Sequence, residues 1–324
     1  MKKVLDLLKK IPGSVIGFLV VFGVFAIFGN KFLTAYNLLN ILRNSSVLMV
    51  VATGMTMALL LGKNDMSIGS LMSLSGILIC IFLGKGMSFF VAALLTILIC
   101  ACCGAVTGSL IAYLKADYWI AAFSMMSLAS GMALVLSNGR TLTVDNAFFK
   151  VLGSGKFLGV YNLVYVGLII VLVMLFVLKK TKFGYDIYAY GNSETCAKLS
   201  GMNTEWICLR VYILNGILAG IAGIMLAAKT YSGLPGAGTG YEFDSIASAL
   251  IGGTTFAGGT GGLSGTILGA LLIMTIRNGL TMIGVPTLWQ FVCIGTIIMI
   301  VIIGDVTRHN AKVARESMRR YSND

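Results

Sequence analysis

Long apolar segments recur along the whole chain, and short polar segments separate them. A helix that crosses a bilayer needs roughly 20 mainly apolar residues. The pattern therefore predicts ten membrane-spanning helices, at about residues 12–29, 45–62, 67–84, 88–114, 118–137, 160–178, 206–228, 244–258, 263–283 and 287–304. The eighth segment is short and lies next to the ninth, so this pair is a candidate for a broken or re-entrant element. The predicted fold is all-α, a single polytopic membrane domain over residues 1–324.

Glycine is concentrated in one apolar segment, ALIGGTTFAGGTGGLSGTILGALLI, at residues 249–273. The spacing does not fit a nucleotide site, because the G-x-G-x-x-G pattern fails at Ser264 and no Gly-Lys pair is followed by Ser or Thr. Instead, glycines recur every four positions, and on one helix they would share a face that permits close packing in lipid. The glycines predicted to pack in this way are Gly258, Gly261, Gly262, Gly265 and Gly269.

The composition agrees with a membrane protein. The chain has 324 residues, of which 57% are hydrophobic and 11% charged, and its mean hydropathy is +0.93; soluble domains carry about 25% charged residues. The net charge of +12 would suit a nucleic-acid partner, but its distribution excludes one. With the N-terminus in the cytoplasm, most Lys and Arg residues outside the predicted spans are cytoplasmic, as membrane orientation requires. Both termini are then cytoplasmic, and membrane lipid is the expected surrounding.

Catalytic and metal chemistry have little support in the sequence. The chain has seven Cys and one His, His309, which lies in the basic C-terminal tail. A Ser-His-Asp, Cys-His or His-rich metal site cannot be built from one tail histidine. Cys100, Cys102 and Cys103 lie close together in an apolar run, where free cysteine is expected as a small hydrophobic residue rather than as a metal ligand. We therefore predict no catalytic residue, no metal site and no cofactor.

Polar and ionisable residues within or beside the apolar segments are costly in lipid and are candidates for a translocation pathway. These candidates are Asp65, Ser67, Glu242, Asp244, Ser245, Arg277 and Asn278. Asp65 and Asp244 precede predicted helix starts and are also good N-cap residues, and capping is the favoured role for Asp244. For Arg277 two interpretations have equal weight: a role in the pathway, or a structural role in which it pairs with a carboxylate or extends its charged end to the membrane surface. The predicted spans contain no chain of carboxylates for a proton relay, which argues against a proton-coupled transporter.

A short internal repeat suggests two related halves. The pattern Ser-Ile-small-Ser occurs at residues 67–70 and again at 245–248, five predicted spans apart. An odd number of spans per half inverts the second half in the membrane, and inverted repeats place a pathway at their interface. The prediction is two inverted five-helix halves in which Ser67 and Ser245 open equivalent helices. Chance similarity in a chain rich in Ser, Ile and Gly is the alternative.

The longest predicted cytoplasmic loop covers residues 181–205. Residues 194–199 are compatible with a helix, Gly201 follows them, and Asn192 and Ser193 precede them as possible N-caps. This pattern predicts a short helix on the membrane surface. An ordinary connecting loop is the alternative, and composition alone favours it.

Four segments, in this order, resemble the permease subunits of bacterial ATP-binding-cassette (ABC) importers for simple sugars, the ribose-transport type. They are GKNDMSIGSLMSLSG at 62–76, YAYGNSETCAKLSGMNTE at 188–205, GTGYEFDSIASALIGGTTFAGGTGGLSGTILGALLI at 238–273 and RNGLTMIGVPTLWQFVCIGTIIMIVIIGD at 277–305. In the first, Lys63 and Asn64 replace the family's usual Gly and Ile, so Asp65, Ser67 and Gly69 carry the similarity. The resemblance covers nearly the whole chain.

The resemblance implies a permease domain in the bacterial inner membrane that forms a pathway for a sugar. It implies two permease subunits, identical or homologous, two ATPase subunits or a fused pair, and an extracytoplasmic substrate-binding protein. It also implies that the predicted surface helix is a coupling helix that docks on the ATPase through Glu194, Ala197, Lys198 and Gly201. The alternatives are a related importer for branched-chain amino acids or nucleosides and, more remotely, an ATP-independent secondary transporter.

Overall fold

The computed structural model describes residues 13–29, 31–286, 289–290, 292–296, 299 and 303. The helices assigned within these residues are α1 Gly13–Phe28, α2 Ala35–Leu60, α3 Ile68–Gly84, α4 Phe89–Ala112, α5 Tyr118–Ser137, α6 Ala147–Ser154, α7 Asn162–Lys180, α8 Lys182–Asn192, α9 Glu194–Leu199, α10 Thr204–Thr230, α11 Tyr241–Ile251 and α12 Leu263–Met282. Four two-residue strands form two antiparallel pairs, β1 Leu142–Thr143 with β4 Ser232–Gly233 and β2 Lys156–Phe157 with β3 Val160–Tyr161. The prediction of an all-α fold is confirmed.

Six of these helices are long and apolar enough to cross a membrane, namely α2, α4, α5, α7, α10 and α12, which confirms a polytopic membrane protein. Helix α10 lies at the centre, with 72% of its most apolar window buried inside the protein, against 22% for α4 at the periphery. Two shorter apolar helices, at residues 17–28 and 68–84, correspond to the first and third predicted spans. Of the tenth, residues 289–290, 292–296, 299 and 303 are described, and they are helical.

The eighth predicted span, residues 244–258, is wrong as a continuous membrane crossing. Helix α11 has 11 residues, so it is about 16 Å long and covers only half of a hydrocarbon core about 30 Å thick. An irregular segment at residues 252–262, here called the glycine loop, then leads into α12. Because α12 packs against α11, the two helices and the glycine loop form the broken element that the sequence suggested.

The glycines predicted to pack on one helix fall into two groups. Gly265 and Gly269 lie on α12, where an added Cβ would sit 1.8 Å from the Gly252 oxygen and 2.0 Å from the Ser248 oxygen, so the two backbones touch. The same prediction is wrong for the remaining three, Gly258, Gly261 and Gly262, which precede α12. Gly258 and Gly261 have φ angles of 84° and 119°, a left-handed conformation that favours glycine and ends helical geometry.

The helices of the two predicted halves pack in equivalent ways. Helices α2 and α10 pack together at the centre. Helix α10 packs against α3 and α4, and α2 packs correspondingly against α11 and α12. The pairs α3–α4 and α11–α12 are likewise in contact. Helices α2, α3 and α4 of the first half therefore make the same set of contacts as α10, α11 and α12 of the second half. This equivalence supports the predicted repeat.

Adding one methyl group at Gly269 tests the contact between α11 and α12. In Gly269→Ala the new Cβ would lie 2.0 Å from the Ser248 oxygen, and overpacking of this kind costs about 1–3 kcal/mol. We expect a lower thermal unfolding midpoint in detergent. The control is Gly131→Ala on α5, where nothing lies within 4 Å and alanine gains about 0.5–1 kcal/mol of helix stability. Equal midpoints for the two variants would contradict the close packing.

Candidate functional site

The first turns of α3 and α11 meet inside the protein. A Cβ added to Gly69 would lie 2.0 Å from Oε2 of Glu242 and 2.5 Å from the backbone oxygen of Gly238. Glu242 is 5% exposed, and its Oε1 accepts a hydrogen bond from the Gly240 N–H at 3.0 Å. Helix N-termini carry partial positive charge. The Glu242 carboxylate therefore lies where two such ends converge.

Residues 234–240, here called the α10–α11 connector, are fixed against α3. The Gly238 N–H donates to Oγ of Ser73 at 2.9 Å, and a Cβ on Gly238 would lie 2.1 Å from the Gly69 oxygen. Gly69 and Gly238 thus allow two backbones to touch without an intervening side chain. We call this contact, together with Glu242, the α3–α11 junction.

Asp65 anchors the start of α3 to α10. Its Oδ1 accepts hydrogen bonds from the Ser67 N–H at 3.0 Å and from the Ser67 hydroxyl at 2.6 Å, and its Oδ2 accepts one from the Asn215 side chain at 3.1 Å. Asp65 and Ser67 are both fully enclosed. Helix α3 begins at Ile68 with Ser67 as the N-cap residue, so Asp65 orders this end through Ser67 rather than as the cap itself.

Ser245, the predicted counterpart of Ser67, is also enclosed, and its hydroxyl donates to the Glu242 carbonyl at 2.9 Å. Both serine hydroxyls are therefore occupied by bonds within their own elements. Gly69 and Glu242, rather than the serines, bring the two helix ends together.

A second group of polar residues lines a cavity of about 310 Å³ between α2, α10, α11 and α12, here called the polar cavity. Asp244 and Arg277 form an ion pair in it, with both carboxylate oxygens 2.9 Å from one guanidinium nitrogen. The Asp244 side chain is 2% exposed and the Arg277 side chain 20%. The other polar side chains of the lining are Asn44, Lys229, Thr239, Tyr241, Asn278 and Thr281.

This geometry corrects the capping role predicted for Asp244. Helix α11 begins at Tyr241, its N-cap residue is Gly240, and Asp244 lies within its first turn. The Asp244 carboxylate is therefore free of the helix end and reaches Arg277 on α12. Of the two roles weighed for Arg277, the structure shows the ion pair.

Asn278 lies beside the ion pair and joins α12 to α2. The Asn37 amide donates to the Asn278 oxygen at 2.9 Å, and the Asn278 amide donates back at 2.8 Å. Lys229 donates to the side-chain oxygen of Asn44. Three of the candidate pathway residues thus meet in one polar cavity, whereas Asp65, Ser67, Glu242 and Ser245 lie at or near the α3–α11 junction.

A second cavity, of about 280 Å³, is lined mainly by apolar and glycine residues of α3, α10 and the connector, and is here called the apolar cavity. The connector contributes Leu234 and Ala237 to this cavity and Thr239 to the polar one. Gly238, which touches Gly69, lies between them in sequence. The connector thus contributes side chains to the linings of both cavities.

The short surface helix predicted at residues 194–199 is present as α9, and the Ser193 hydroxyl caps it by accepting the Cys196 N–H at 3.2 Å. Leu199 is 84% exposed, whereas Ala197 is 4% exposed and turned into the protein. Glu194 and Lys198 are exposed, and Gly201 follows the helix with a φ of 80°. Of the four residues implied at an ATPase contact, Ala197 is thus not at the surface.

Glu194 connects α9 to the loop between α2 and α3, in which Lys63 lies. Its carboxylate accepts the Tyr190 hydroxyl at 2.7 Å and lies 4.0 Å from Nζ of Lys63. Burial, and then this hydrogen bond, raise the pKa of Tyr190 well above its usual range, so the phenol remains a donor. Lys198 pairs with Glu205 at 3.0 Å.

Helix α8 contacts both irregular segments that adjoin the junction helices. The Gly259 N–H donates to the Leu60 oxygen at 2.9 Å, and a Cβ on Gly191 of α8 would lie 1.8 Å from that same oxygen. The Tyr188 hydroxyl donates to the Gly261 oxygen at 2.9 Å. The segment 182–199, formed by α8 and α9, therefore touches the end of α2, before α3, and the glycine loop, after α11.

Sequence reasoning missed several residues of these sites. Asn215 and Asn37 are polar residues in apolar helices, so the rule that selected Asn278 would also have selected them. Gly69 stood in a quoted motif, but its contact with Gly238 joins residues far apart in the chain. Among the described residues, no group of three or more His, Cys, Asp or Glu side chains is placed to hold a metal ion.

The comparisons with known proteins cover most of the chain. Residues 37–302 match the family described as branched-chain amino acid transport system, permease component. The chain is 37% identical over 296 residues to the ribose import permease protein of Escherichia coli, which covers 90% of this chain and 92% of that one.

Two further relatives are named for different sugars. The L-arabinose ABC transporter permease protein of Azospirillum brasilense is 30% identical over 302 residues, covering 93% of this chain and 89% of its own. The D-allose transport system permease protein of Escherichia coli is 32% identical over 279 residues, which cover 85% of this chain and 86% of that protein. No solved structure matches the chain.

The Asp244–Arg277 pair can be tested by a double-mutant cycle. Arg277→Met leaves the buried Asp244 carboxylate without its guanidinium, and breaking a buried pair in this way costs about 3–5 kcal/mol. We expect a large fall in the thermal unfolding midpoint for Arg277→Met, and partial recovery when Asp244→Asn is added, because the uncompensated charge is removed. If the double variant is destabilised by the sum of the two single effects, the pair is not coupled.

Proposed function

The chain belongs to the permease family described as the branched-chain amino acid transport system permease component, and from this premise we propose that it forms the translocation pathway of an ABC importer for a simple sugar. The similarity to sugar permeases over about nine-tenths of the chain carries the proposal. The sugars for which these relatives are named, ribose, L-arabinose and D-allose, are all monosaccharides. The family description alone favours the alternative, branched-chain amino acids, but the three relatives' names do not.

The polar cavity has chemistry suited to a hydroxyl-rich cargo. It combines a carboxylate, a guanidinium, the Lys229 ammonium, carboxamides and hydroxyls, which together supply both hydrogen-bond donors and acceptors. Asp244 and Arg277 compensate each other's charge, so neither requires a charged partner on the cargo. A monosaccharide hydroxyl can donate to one group and accept from its neighbour.

ATP hydrolysis belongs to separate subunits in this proposal, because the sequence has no nucleotide-binding motif. Two permease subunits, identical or homologous, would assemble with two ATPase subunits or a fused pair, and an extracytoplasmic binding protein would deliver the sugar. The segment 182–199 is the proposed ATPase contact. Its ion pair with Lys63, its close contact with the Leu60 oxygen and its hydrogen bond to the Gly261 oxygen give movement of that segment a direct route to the helices of the junction.

Reconstitution tests the function directly. The permease, its ATPase and its binding protein are placed in proteoliposomes with ATP inside, and uptake of ribose, arabinose, allose and leucine is measured. We expect ATP-dependent uptake of one monosaccharide and none of leucine. Uptake of leucine alone would establish the alternative, and sugar uptake without ATP or the ATPase would establish a secondary transporter.

The ATPase contact predicts different effects for two equally exposed leucines. Leu199 on α9 and Leu158 in the turn between β2 and β3 are each 84% exposed. Leu199→Asp should leave folding intact but weaken binding of the ATPase, measured by copurification, by about tenfold or more. A loss of about 1.4 kcal/mol of binding free energy lowers affinity tenfold, and side chains at the centre of an interface often contribute more. Leu158→Asp is the matched control and should copurify normally. Ala197→Trp is a poorer test, because Ala197 is buried. Normal ATPase binding by Leu199→Asp would refute the assigned contact.

The orientation is also testable, with one native thiol. Cys196 on α9 is exposed, so in oriented vesicles a membrane-impermeant maleimide should label it only from the cytoplasmic side. A Ser154→Cys change at the end of α6, made in a Cys196→Ser background, should react only from outside. Labelling of both thiols from the same side would overturn the proposal that both termini are cytoplasmic.

A further inference from the structure

A separate cavity of about 210 Å³ lies where the end of α7 meets α8, the glycine loop and the start of α12, and is here called the α7 cavity. Apart from glycines, its lining residues are Leu175, Leu178, Lys179, Tyr188, Leu263 and Ser264. Among the described residues, this lining contains one cationic side chain and two hydroxyl groups but no carboxylate. The α7 cavity is therefore suited to an anionic ligand that also has an apolar part.

Lys179 brings a positive charge to this cavity. It lies in the last turn of α7, and its side chain is exposed. It takes part in none of the ion pairs found among the described residues. Lys180 and Lys182, which follow it, are also exposed. Basic pockets between membrane-spanning helices attract the headgroups of anionic lipids, so a phosphate would supply the charge that balances Lys179.

A stripe of leucines on α7 leads away from the cavity along the outside of the protein. Leu168, Leu172 and Leu175 precede Lys179 at intervals of four, three and four residues, so all four share one face of the helix. Leu168 is 52% and Leu172 54% exposed, and the most apolar window of α7 is only 28% buried, as expected for a helix that faces lipid. The stripe is about 16 Å long, which matches half of a hydrocarbon core about 30 Å thick.

We propose that the α7 cavity binds the headgroup of an anionic phospholipid, with its phosphate at Lys179 and Ser264 and one acyl chain along the leucine stripe. The stripe favours a lipid over a free phosphate, because only a lipid gains from covering it. Tyr188 of α8 donates to the Gly261 oxygen, and both residues line the cavity. A bound lipid therefore holds α8 against the glycine loop. This inference goes beyond the proposed function and does not depend on the identity of the cargo.

The experiment titrates the purified full-length permease with phosphatidylglycerol and counts the bound lipid by native mass spectrometry. Wild type should bind this anionic lipid more tightly than zwitterionic phosphatidylcholine with the same acyl chains. Lys179→Gln removes the ammonium and should weaken phosphatidylglycerol binding by about fivefold, the usual effect of one lysine at an anionic lipid surface. Lys180→Gln removes the same charge one residue away, outside the cavity lining. It is the matched control and should bind as wild type does.

A third variant and a second measurement separate a defined site from general attraction to charge. Ser264→Trp places a large ring at an exposed position of the lining, so it should block lipid binding without changing the net charge. Phosphatidylglycerol should also raise the thermal unfolding midpoints of wild type and Lys180→Gln more than those of Lys179→Gln and Ser264→Trp.

Three results would overturn the inference. Equal binding of phosphatidylglycerol and phosphatidylcholine by wild type would show that the cavity does not recognise the anionic headgroup. Equal losses in Lys179→Gln and Lys180→Gln would show that the lysines attract lipid only as surface charge. Displacement of the lipid by an equal concentration of glycerol 3-phosphate would show that the site takes a free phosphate and that the leucine stripe contributes nothing.

Discussion

Contact between two backbones at Gly69 and Gly238 is the constraint on which the centre of this protein depends. It brings the first turn of α3 against the connector that leads into α11, at a distance that no other residue pair allows. Glu242 is then held between two helix ends, and Asp244, two residues later, is directed to Arg277. The connector fixed by this contact supplies Thr239 to the polar cavity and Leu234 and Ala237 to the apolar cavity.

The membrane fold was largely predictable, because hydropathy reports a local property, the transfer of one segment into lipid. Helices α2, α4, α5, α7 and α12 could be located in this way. The glycine loop could not, since a four-residue spacing of glycines implies packing only where the chain is helical, and Gly258 and Gly261 have positive φ angles. The spacing rule assumed the secondary structure that it was used to support.

The candidate sites were predictable as residue types but not as contacts. Asp244 and Arg277 were selected because ionisable groups in lipid are costly, yet their pairing joins positions on two helices and depends on how α12 folds back on α11. For the same reason Ala197 was assigned to a surface from which it is turned away. In a six-residue helix, the direction of each side chain is set by the tertiary contacts of its neighbours, such as the Glu194–Tyr190 bond.

The shortness of α11 has a consequence for ion leakage. A helix that ends halfway across the bilayer leaves a thin barrier, and a thin barrier would conduct protons and sodium ions if a file of water filled it. The apolar cavity, with Met72, Leu226 and Leu234 in its lining, opposes this, because a narrow apolar space expels water and interrupts such a file. An apolar lining of this kind favours closure to a dry contact, which is the condition for a thin barrier to hold back ions while no cargo passes.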